Sequence, residues 1–491
     1  MSKLNEDILF IIFEELQHSS KFLFSCLMVN RLWCETAIPV LWRRPWHYAI
    51  NYHNKSSLYS IITSCLSNDI KDYLTKKGIK ISGQSLAFDY LSFCMSIDIS
   101  IIDDIISIES SSEYDRFILQ EEVYNFLIMK CPEIKYLNIR GSYELVFLPE
   151  TKVRLESLCE LTCDTSIDPK YFYRISHICQ QIQRIIIINN NLRANYGAIK
   201  LIEFQKNLKY FKWEDDFNDD YFMELENPYA EIFHMLKRHA NTLNHFEVSL
   251  QTDYDYFGNY IFVQYSILGL HNLKILKISS TFSSCDDFDE QLKTIAYRDL
   301  EVLDMEKIDI YQVTCIIKNS LCLRELRISI YNWDYDDFFE NSLNFIRAIC
   351  ENCSLIEHLS IPVFPLLENH IIEFEKLLKK CQELRLLHFA ETYYEEGKEL
   401  DFGEYLSNVL IREASINLRE VVIPYDIRFS LKTLETFFEK WKGRPAISIL
   451  IDEPYFYQTD LYMKLINKYK GEGVIKYTNV SVDNSVRLFF K

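Results

Sequence analysis

A six-residue motif recurs along most of this chain: an apolar residue, two others, an apolar residue, one other, an apolar residue. Clear copies begin at Ile134, Ile182, Leu208, Leu243, Leu273, Leu300, Leu323, Ile356, Leu384 and Leu418, with weaker ones expected at Leu155 and Ala446. From Ile134 to Ala446 the pattern takes eleven steps, a mean of about 28 residues. Between copies lie stretches of helical apolar spacing, including residues 230–239, 259–268, 310–319, 343–353, 370–381 and 405–414. Each unit therefore reads strand, loop, helix, loop. Neither element can bury its apolar side alone, so successive units must stack, with parallel strands on one side and helices on the other. The expected fold class is α/β.

Cysteines mark the approach to several of these strands. Cys131, Cys179, Cys353 and Cys381 each fall two or three residues before the first apolar strand position. Residues 131–491 thus resemble the cysteine-containing leucine-rich repeats. Spacing between copies ranges from about 21 to 35 residues, so an irregular solenoid is expected, strands concave and helices convex.

The first 43 residues carry a second signature. Three short helices are expected from apolar runs at Ile8, Leu9, Ile12, Phe13 and Leu16, at Phe22, Leu23, Cys26, Leu27 and Val29, and at Leu32, Trp33, Ala37 and Ile38. Asn5 suits an N-cap, with Glu6 and Asp7 in the first turn. Helices this short enclose little core, so surplus apolar surface needs a partner. The segment resembles the F-box family at Leu4, Ile8-Leu9, Ile12-Phe13, Leu16, Cys26 to Arg31, Trp33 and Leu41-Trp42; Asn5 stands where the family usually has proline. The resemblance implies docking on a Skp-type adaptor through Leu4, Ile8, Leu9, Ile12, Phe13, Leu16, Leu27, Val29, Trp33, Leu41 and Trp42, and through that adaptor on cullin and RING subunits. Residues 44–130 fit neither signature and are expected to form a helical junction, with helices at 58–66, 70–77 and 114–130.

Composition narrows the function. The formal net charge is -18, which argues against nucleic acid or an anionic membrane as partner, since both are held by surplus Lys and Arg. Fourteen cysteines lack a disulfide framework, and no apolar run approaches the roughly 18 residues of a membrane span, so a cytoplasmic or nuclear setting with free thiols is expected. No Gly-rich phosphate loop, nucleophile elbow or HExxH motif is present. The pairs Cys350/Cys353 and Cys159/Cys163 lack a second pair at zinc spacing. Asp215, Asp216, Asp219 and Asp220 lack the glycine and terminal glutamate of a calcium loop. No catalytic residue, metal or cofactor is expected.

Two further patterns concern a protein substrate. The residue four after the first apolar position reads Lys212, Glu247, Lys277, Asp304 and Arg327 in successive copies, alternating in sign. Neighbouring strands about 4.8 Å apart would stack these into a ladder of opposite charges. Loops 214–221, 251–260, 279–290 and 329–342 together hold fifteen acids, no Lys or Arg, and interleaved aromatics. The expected substrate contacts are Trp213, Asp215, Asp216, Asp219, Asp220, Asp253, Tyr254, Asp255, Tyr256, Asp286, Asp287, Asp289, Trp333, Asp334, Tyr335, Asp336 and Asp337, suited to a basic segment. Phe282 and Phe288 belong to the same loops. The function implied is a non-catalytic substrate receptor of an SCF-type ubiquitin ligase. The alternative is a scaffold that meets the adaptor without cullin.

Overall fold

Asn5 caps the first helix as the sequence suggests: its side chain accepts from the Ile8 amide at 3.0 Å. Helices α1 (Glu6–Glu15), α2 (Ser20–Leu27) and α3 (Arg31–Arg43) follow, the last capped by Asn30, which accepts from the Trp33 amide. This computed structural model describes residues 5–48, 52–110, 112–140, 151–190, 195–216, 229–251, 259–280, 282, 285–330, 335–390, 398–452 and 454–480. The chain divides into two compact units, residues 1–239 and 240–491.

The first unit holds α1–α3, further helices at Tyr52–Cys65, Asn68–Lys76, Ile99–Ser107 and Glu113–Lys130, and five parallel strands in chain order: β1 (Ser96–Asp98), β2 (Tyr136–Ile139), β3 (Glu160–Asp164), β4 (Arg184–Asn189) and β5 (Tyr210–Asp215). The second unit holds nine: β6 (His245–Ser249), β7 (Ile275–Ser279), β8 (Val302–Ile308), β9 (Glu325–Ile330), β10 (His358–Pro362), β11 (Leu386–Ala390), β12 (Glu420–Ile423), β13 (Ile447–Ile451) and β14 (Ile475–Thr478). Every strand is followed by a helix before the next begins, except that the described residues end after β14. This is the strand-and-helix repeat architecture that the motif spacing predicts.

The motif's three apolar positions form the core. In the copy at Leu273, Leu273, Leu276 and Ile278 are all buried, and Lys277 between them is half-buried on the opposite, open face. Burying one such side chain is worth about 1.5–3 kcal/mol. The cysteines end helices: the amides of Cys131, Cys179, Cys353 and Cys381 close the last helical turn on Leu127, Ile175, Ile349 and Leu377. Their small side chains are fully buried, and two thiols reach the preceding repeat, Cys179 Sγ donating to Leu155 O (3.1 Å) and Cys381 Sγ to Cys353 O (3.6 Å). Burial pushes the Cys179, Cys353 and Cys381 thiols up to about 12, so they are packing groups rather than nucleophiles.

Two expectations are corrected. The weak copy begins at Leu158, not Leu155, because a helix over Thr151–Leu155 ends there and Leu158, Leu161 and Cys163 fill the core. The sheet starts before residue 131, since β1 lies in the presumed junction and pairs in parallel with β2. At the other end the sheet runs to β14, within the 131–491 span of the expected solenoid.

Gly403, in the helix Glu399–Glu413, shows how closely repeats approach. A Cβ there would sit 1.9 Å from the Arg428 carbonyl oxygen, in the loop after β12. Gly403→Ala should lower the unfolding free energy by about 1–3 kcal/mol; denaturant melts of the variant against wild type measure it.

Candidate functional site

The N-terminal helices sort their apolar residues into two sets. Leu9, Phe13, Leu23, Cys26, Ala37, Ile38, Val40, Leu41 and Trp42 are buried in the first unit. Phe13 meets Trp33 edge-on with ring centroids 5.4 Å apart, and Trp42 packs on Tyr90 at 4.7 Å. A second set faces outward: Ile8, Ile11, Ile12, Phe22, Phe24, Met28, Val29 and Leu32, with Ile11 62% and Met28 86% exposed. Of the residues expected to meet an adaptor, Ile8, Ile12 and Val29 lie on this outer surface. Leu16, Leu27 and Trp33 are half-buried, while Leu9, Phe13, Leu41 and Trp42 belong to the interior. Leu4 lies outside the described residues. Sequence reading omitted Ile11, Phe22, Phe24, Met28 and Leu32 from the contact set, although they occupy the positions between the core residues. So many large apolar side chains on three short helices are more than scattered surface residues need explain.

These helices are fastened to the first strands. The Met95 amide donates to Arg43 O (3.0 Å) and Trp46 Nε1 donates to Ser96 O (2.8 Å). Arg44 lies over the Tyr136 ring at 3.8 Å and pairs with Glu160 at 3.2 Å. Tyr136, Glu160, Arg184 and Tyr210 are register partners on β2 to β5, and Arg184 in turn covers Tyr210 at 3.4 Å. Cation, ring and carboxylate thus interlock across the open face of the first unit.

In the second unit the charge alternation is in register. Glu247 faces Lys277, Lys277 faces Asp304 and Asp304 faces Arg327 on adjacent strands. Arg327 stands 3.9 Å from Asp304 and 3.2 Å from Glu325. Burial raises the Asp304 carboxyl pKa, while Arg327 and Lys277 pull it back. Lys212 belongs to the first unit, where it pairs with Glu214 at 3.0 Å. A parallel row three positions earlier in the repeat escaped the sequence reading: Lys274 with Glu301 (3.3 Å), and Arg324 and Arg385 with Glu357 (3.0 and 3.4 Å). Further along, Ser360 Oγ lies 2.9 Å from His388 Nδ1, and His358 lies 3.6 Å from Glu325.

The acidic loops divide. Trp213 and Asp215 are interior: Trp213 is fully buried, and Asp215 accepts from Trp213 Nε1 (2.8 Å), Asn189 Nδ2 (2.9 Å) and Tyr229 Oη (2.8 Å). They leave the candidate surface, as do Phe282 and Phe288, both buried. Asp216, Asp286 and Asp287 are exposed and Asp289 is half-buried. Tyr335 and Asp336 open the helix Tyr335–Asn352. Asp219, Asp220, Asp253, Tyr254, Asp255, Tyr256, Trp333 and Asp334 lie outside the described residues.

Asp289 and Asp337 are brought together. With Asp309 and Glu340 they line a cavity of about 430 Å³ whose walls also include Tyr311, Lys318 and Asn344. Burial raises the pKa of the Asp289 and Asp309 carboxyls, and Asp337 adds to the shift of Asp309. Among the described residues no group of three His, Cys, Asp or Glu side chains could hold a metal ion. No helix among them is long and apolar enough to cross a membrane.

No protein-family model and no curated protein matches the sequence. Among solved structures, the chain is similar to one in the crystal structure of the Rad7 and Elc1 complex in yeast. Identity is 14%, the TM-score is 0.39, and the likeness covers 92% of this chain and 93% of that one.

Two expected outcomes follow from the open face of the second unit. Burial lowers the His388 pKa to about 4, against about 6.5 for a free histidine. The unfolded chain therefore takes up this proton first as pH falls. The contribution of neutral His388 is complete above about pH 6.5 and is lost as pH falls through 6.5 towards 4, by up to about 3 kcal/mol. Urea melts of wild type and His388→Leu over that range should show the wild type losing more stability on acidification. Separately, a double-mutant cycle of Asp304→Asn and Arg327→Gln should give a coupling of about 0.2–1 kcal/mol that shrinks with added salt.

Proposed function

We propose that this chain is the non-catalytic substrate-recognition subunit of an SCF-type ubiquitin ligase. On this reading α1–α3 dock on a Skp-type adaptor, cullin and RING subunits join through it, and the repeats hold a protein substrate. The observation that carries it is the outward apolar surface of Ile8, Ile11, Ile12, Phe22, Phe24, Met28, Val29 and Leu32. It sits on the segment that resembles an F-box and is left uncovered within the first unit. An interface core of this kind is dominated by large apolar side chains that lose water on docking. Arg44, Trp46 and Met95 support the reading in a second way, because they tie the docking helices to the strands that would carry the substrate. The subunit would act by raising the substrate's effective concentration near the conjugating enzyme, with no chemistry of its own.

The acid-lined cavity of Asp289, Asp309, Asp337 and Glu340 supports a basic side chain on the substrate. Charge steering of such a partner weakens with ionic strength.

The test uses surface positions, so that folding and docking are read apart. Ile12→Asp with Met28→Asp should leave the melting temperature within a few degrees of wild type and abolish adaptor capture in pull-downs. Leu9→Ala, by contrast, removes a fully buried side chain and should cost about 2–5 kcal/mol of stability. Unchanged capture by the double surface variant would exclude this surface as the adaptor site. Cullin in the wild-type precipitate separates a ligase subunit from a scaffold that meets the adaptor alone.

A further inference from the structure

Many arginines in this chain pair with carboxylates. Arg43 pairs with Glu14, Arg44 and Arg184 with Glu160, Arg324 and Arg385 with Glu357, and Arg412 with Glu375. Arg154, Arg419 and Arg444 donate to backbone carbonyls instead, and Arg116, Arg140 and Arg298 are exposed to water. Arg428 is half-buried and, among the described residues, does neither. Its backbone amide donates to Glu399 O at 2.9 Å, and its guanidinium lies 5.5 Å from the centre of the Phe456 ring. Among the described residues that guanidinium has no carboxylate within ion-pairing distance.

It stands at the wall of a small pocket. The loops after β12 and β13 enclose about 140 Å³ between Tyr425, Ile427, Arg428, Ile451, Tyr455, Phe456 and Tyr457. That is room for one side chain. The walls are aromatic, and Tyr455 (70%) and Phe456 (41%) remain exposed at the mouth. The floor is fixed: buried Tyr457 accepts from the Phe429 amide at 2.9 Å and meets Tyr462 edge-on, while Tyr462 donates to Phe429 O at 3.0 Å. The close approach at Gly403 holds the Arg428 backbone against the neighbouring helix. The pocket is therefore preformed rather than assembled on binding.

Its chemistry names the occupant. An exposed aromatic pair over a one-residue pocket takes an apolar or aromatic side chain. A guanidinium with no carboxylate partner among the described residues takes an anion, in a geometry suited to a carboxylate or phosphate. We propose that this pocket anchors a protein segment by one bulky apolar side chain with an acidic group next to it. The inference rests on the substrate-receptor reading and adds a specific requirement: a mark distinct from the basic group that the Asp289–Asp337 cavity suits. Both features lie on loops or helix starts that follow strands of the second unit, so one extended segment could present both charges. The acidic group is the carboxylate of an Asp or Glu within that segment, the source consistent with one extended segment that carries both charges.

The test uses the full chain bound to its adaptor and a set of fluorescein-labelled nonapeptides differing at two positions. Central pairs are Phe-Glu, Phe-Gln, Phe-phosphoserine and Ala-Glu, with a further peptide ending in Phe as free acid or amide. Fluorescence polarisation should show an acidic peptide binding about tenfold more tightly than its Gln or amide counterpart. Ala-Glu should bind more weakly than Phe-Glu by a similar factor. Phe-Glu represents the proposed occupant, and clearly tighter binding of the phosphoserine or free-acid peptide than of Phe-Glu would overturn it. Arg428→Gln should erase the acid preference, and Tyr455→Ala should weaken all Phe peptides, with melting temperature and adaptor capture unchanged. Equal binding of acidic and neutral peptides, an acid preference that survives Arg428→Gln, or no binding by any peptide would overturn the pocket assignment. Because adaptor capture is read in the same preparation, its failure counts against the receptor reading, whereas peptide failure with capture intact counts against the pocket alone.

Discussion

Everything in this chain depends on one arrangement: a parallel strand cannot bury its apolar side until the next strand and helix are laid beside it. Leu273, Leu276 and Ile278 bury against neighbouring repeats, and the same is true of Leu300, Leu303 and Met305 one step on. No repeat is stable alone, so stability accrues by nearest-neighbour stacking. The backbone follows the same rule. The amides entering each strand bond back to the repeat before, as Lys274 and Ile275 do to Asn244 O, Glu301 and Val302 to Lys274 O, and Arg324 and Glu325 to Glu301 O. The buried cysteines at helix ends fit this geometry because a small apolar side chain lets the chain turn into the strand without opening a void. Their thiols then add bonds between repeats, from Cys179 to Leu155 and from Cys381 to Cys353.

A stack of this kind has an exposed first edge, and the N-terminal helices supply what meets it. Arg43, Trp46 and Met95 bond them to β1, and Arg44 passes its charge to Glu160 across the Tyr136 ring. A charge sandwiched between a ring and a carboxylate and only partly open to water is worth more than a surface ion pair. The consequence for function is geometric. Whatever docks on the outer surface of α1–α3 is held in fixed relation to the open face of the first strands, because Arg43, Arg44 and Trp46, at and just after the end of α3, bond directly to Met95, Glu160 and Ser96.

Much of the fold was legible because its signal is local and repeated. Three apolar positions in six residues specify a strand with one buried side, and ten clear copies fixed the parallel order. What escaped was where local signals overlap or thin out. Leu155, Leu158 and Leu161 share a spacing of three, so the copy could start at either of the first two, and only the end of the helix at Leu155 decides. The strand at Ser96–Asp98 has three residues and no complete motif. Asp215 looked like a loop acid because it precedes three more aspartates, yet it is the last residue of β5, where Trp213, Asn189 and Tyr229 satisfy it. Helical spacing located the apolar residues of α1–α3 but could not say which face meets the chain's own core, so buried Leu9 and exposed Ile12 were read as one set. The Arg428 pocket had a faint signature: a Pro-Tyr pair follows each of two consecutive strands, Pro424-Tyr425 directly after β12 and Pro454-Tyr455 three residues after the end of β13.

The charge ladder bears on where binding can occur. On β6 to β9 the open face alternates Glu247, Lys277, Asp304, Arg327 in register, and each charge finds its opposite on the next strand. A face neutralised this way offers a partner little net field, and breaking one of its pairs to make a new contact returns little free energy. On the proposed receptor reading, recognition falls where pairing stops, at the ends of the strands. There the acids of Asp289, Asp309 and Asp337 converge without enough cations to balance them, and Arg428 stands against rings instead of a carboxylate. In a chain with a net charge of -18, an acid surplus at an edge is to be expected from composition alone, whereas a half-buried guanidinium set against a ring, with no acceptor among the described residues, is not. Of the two, the cation is therefore the more informative about what this surface was built to hold.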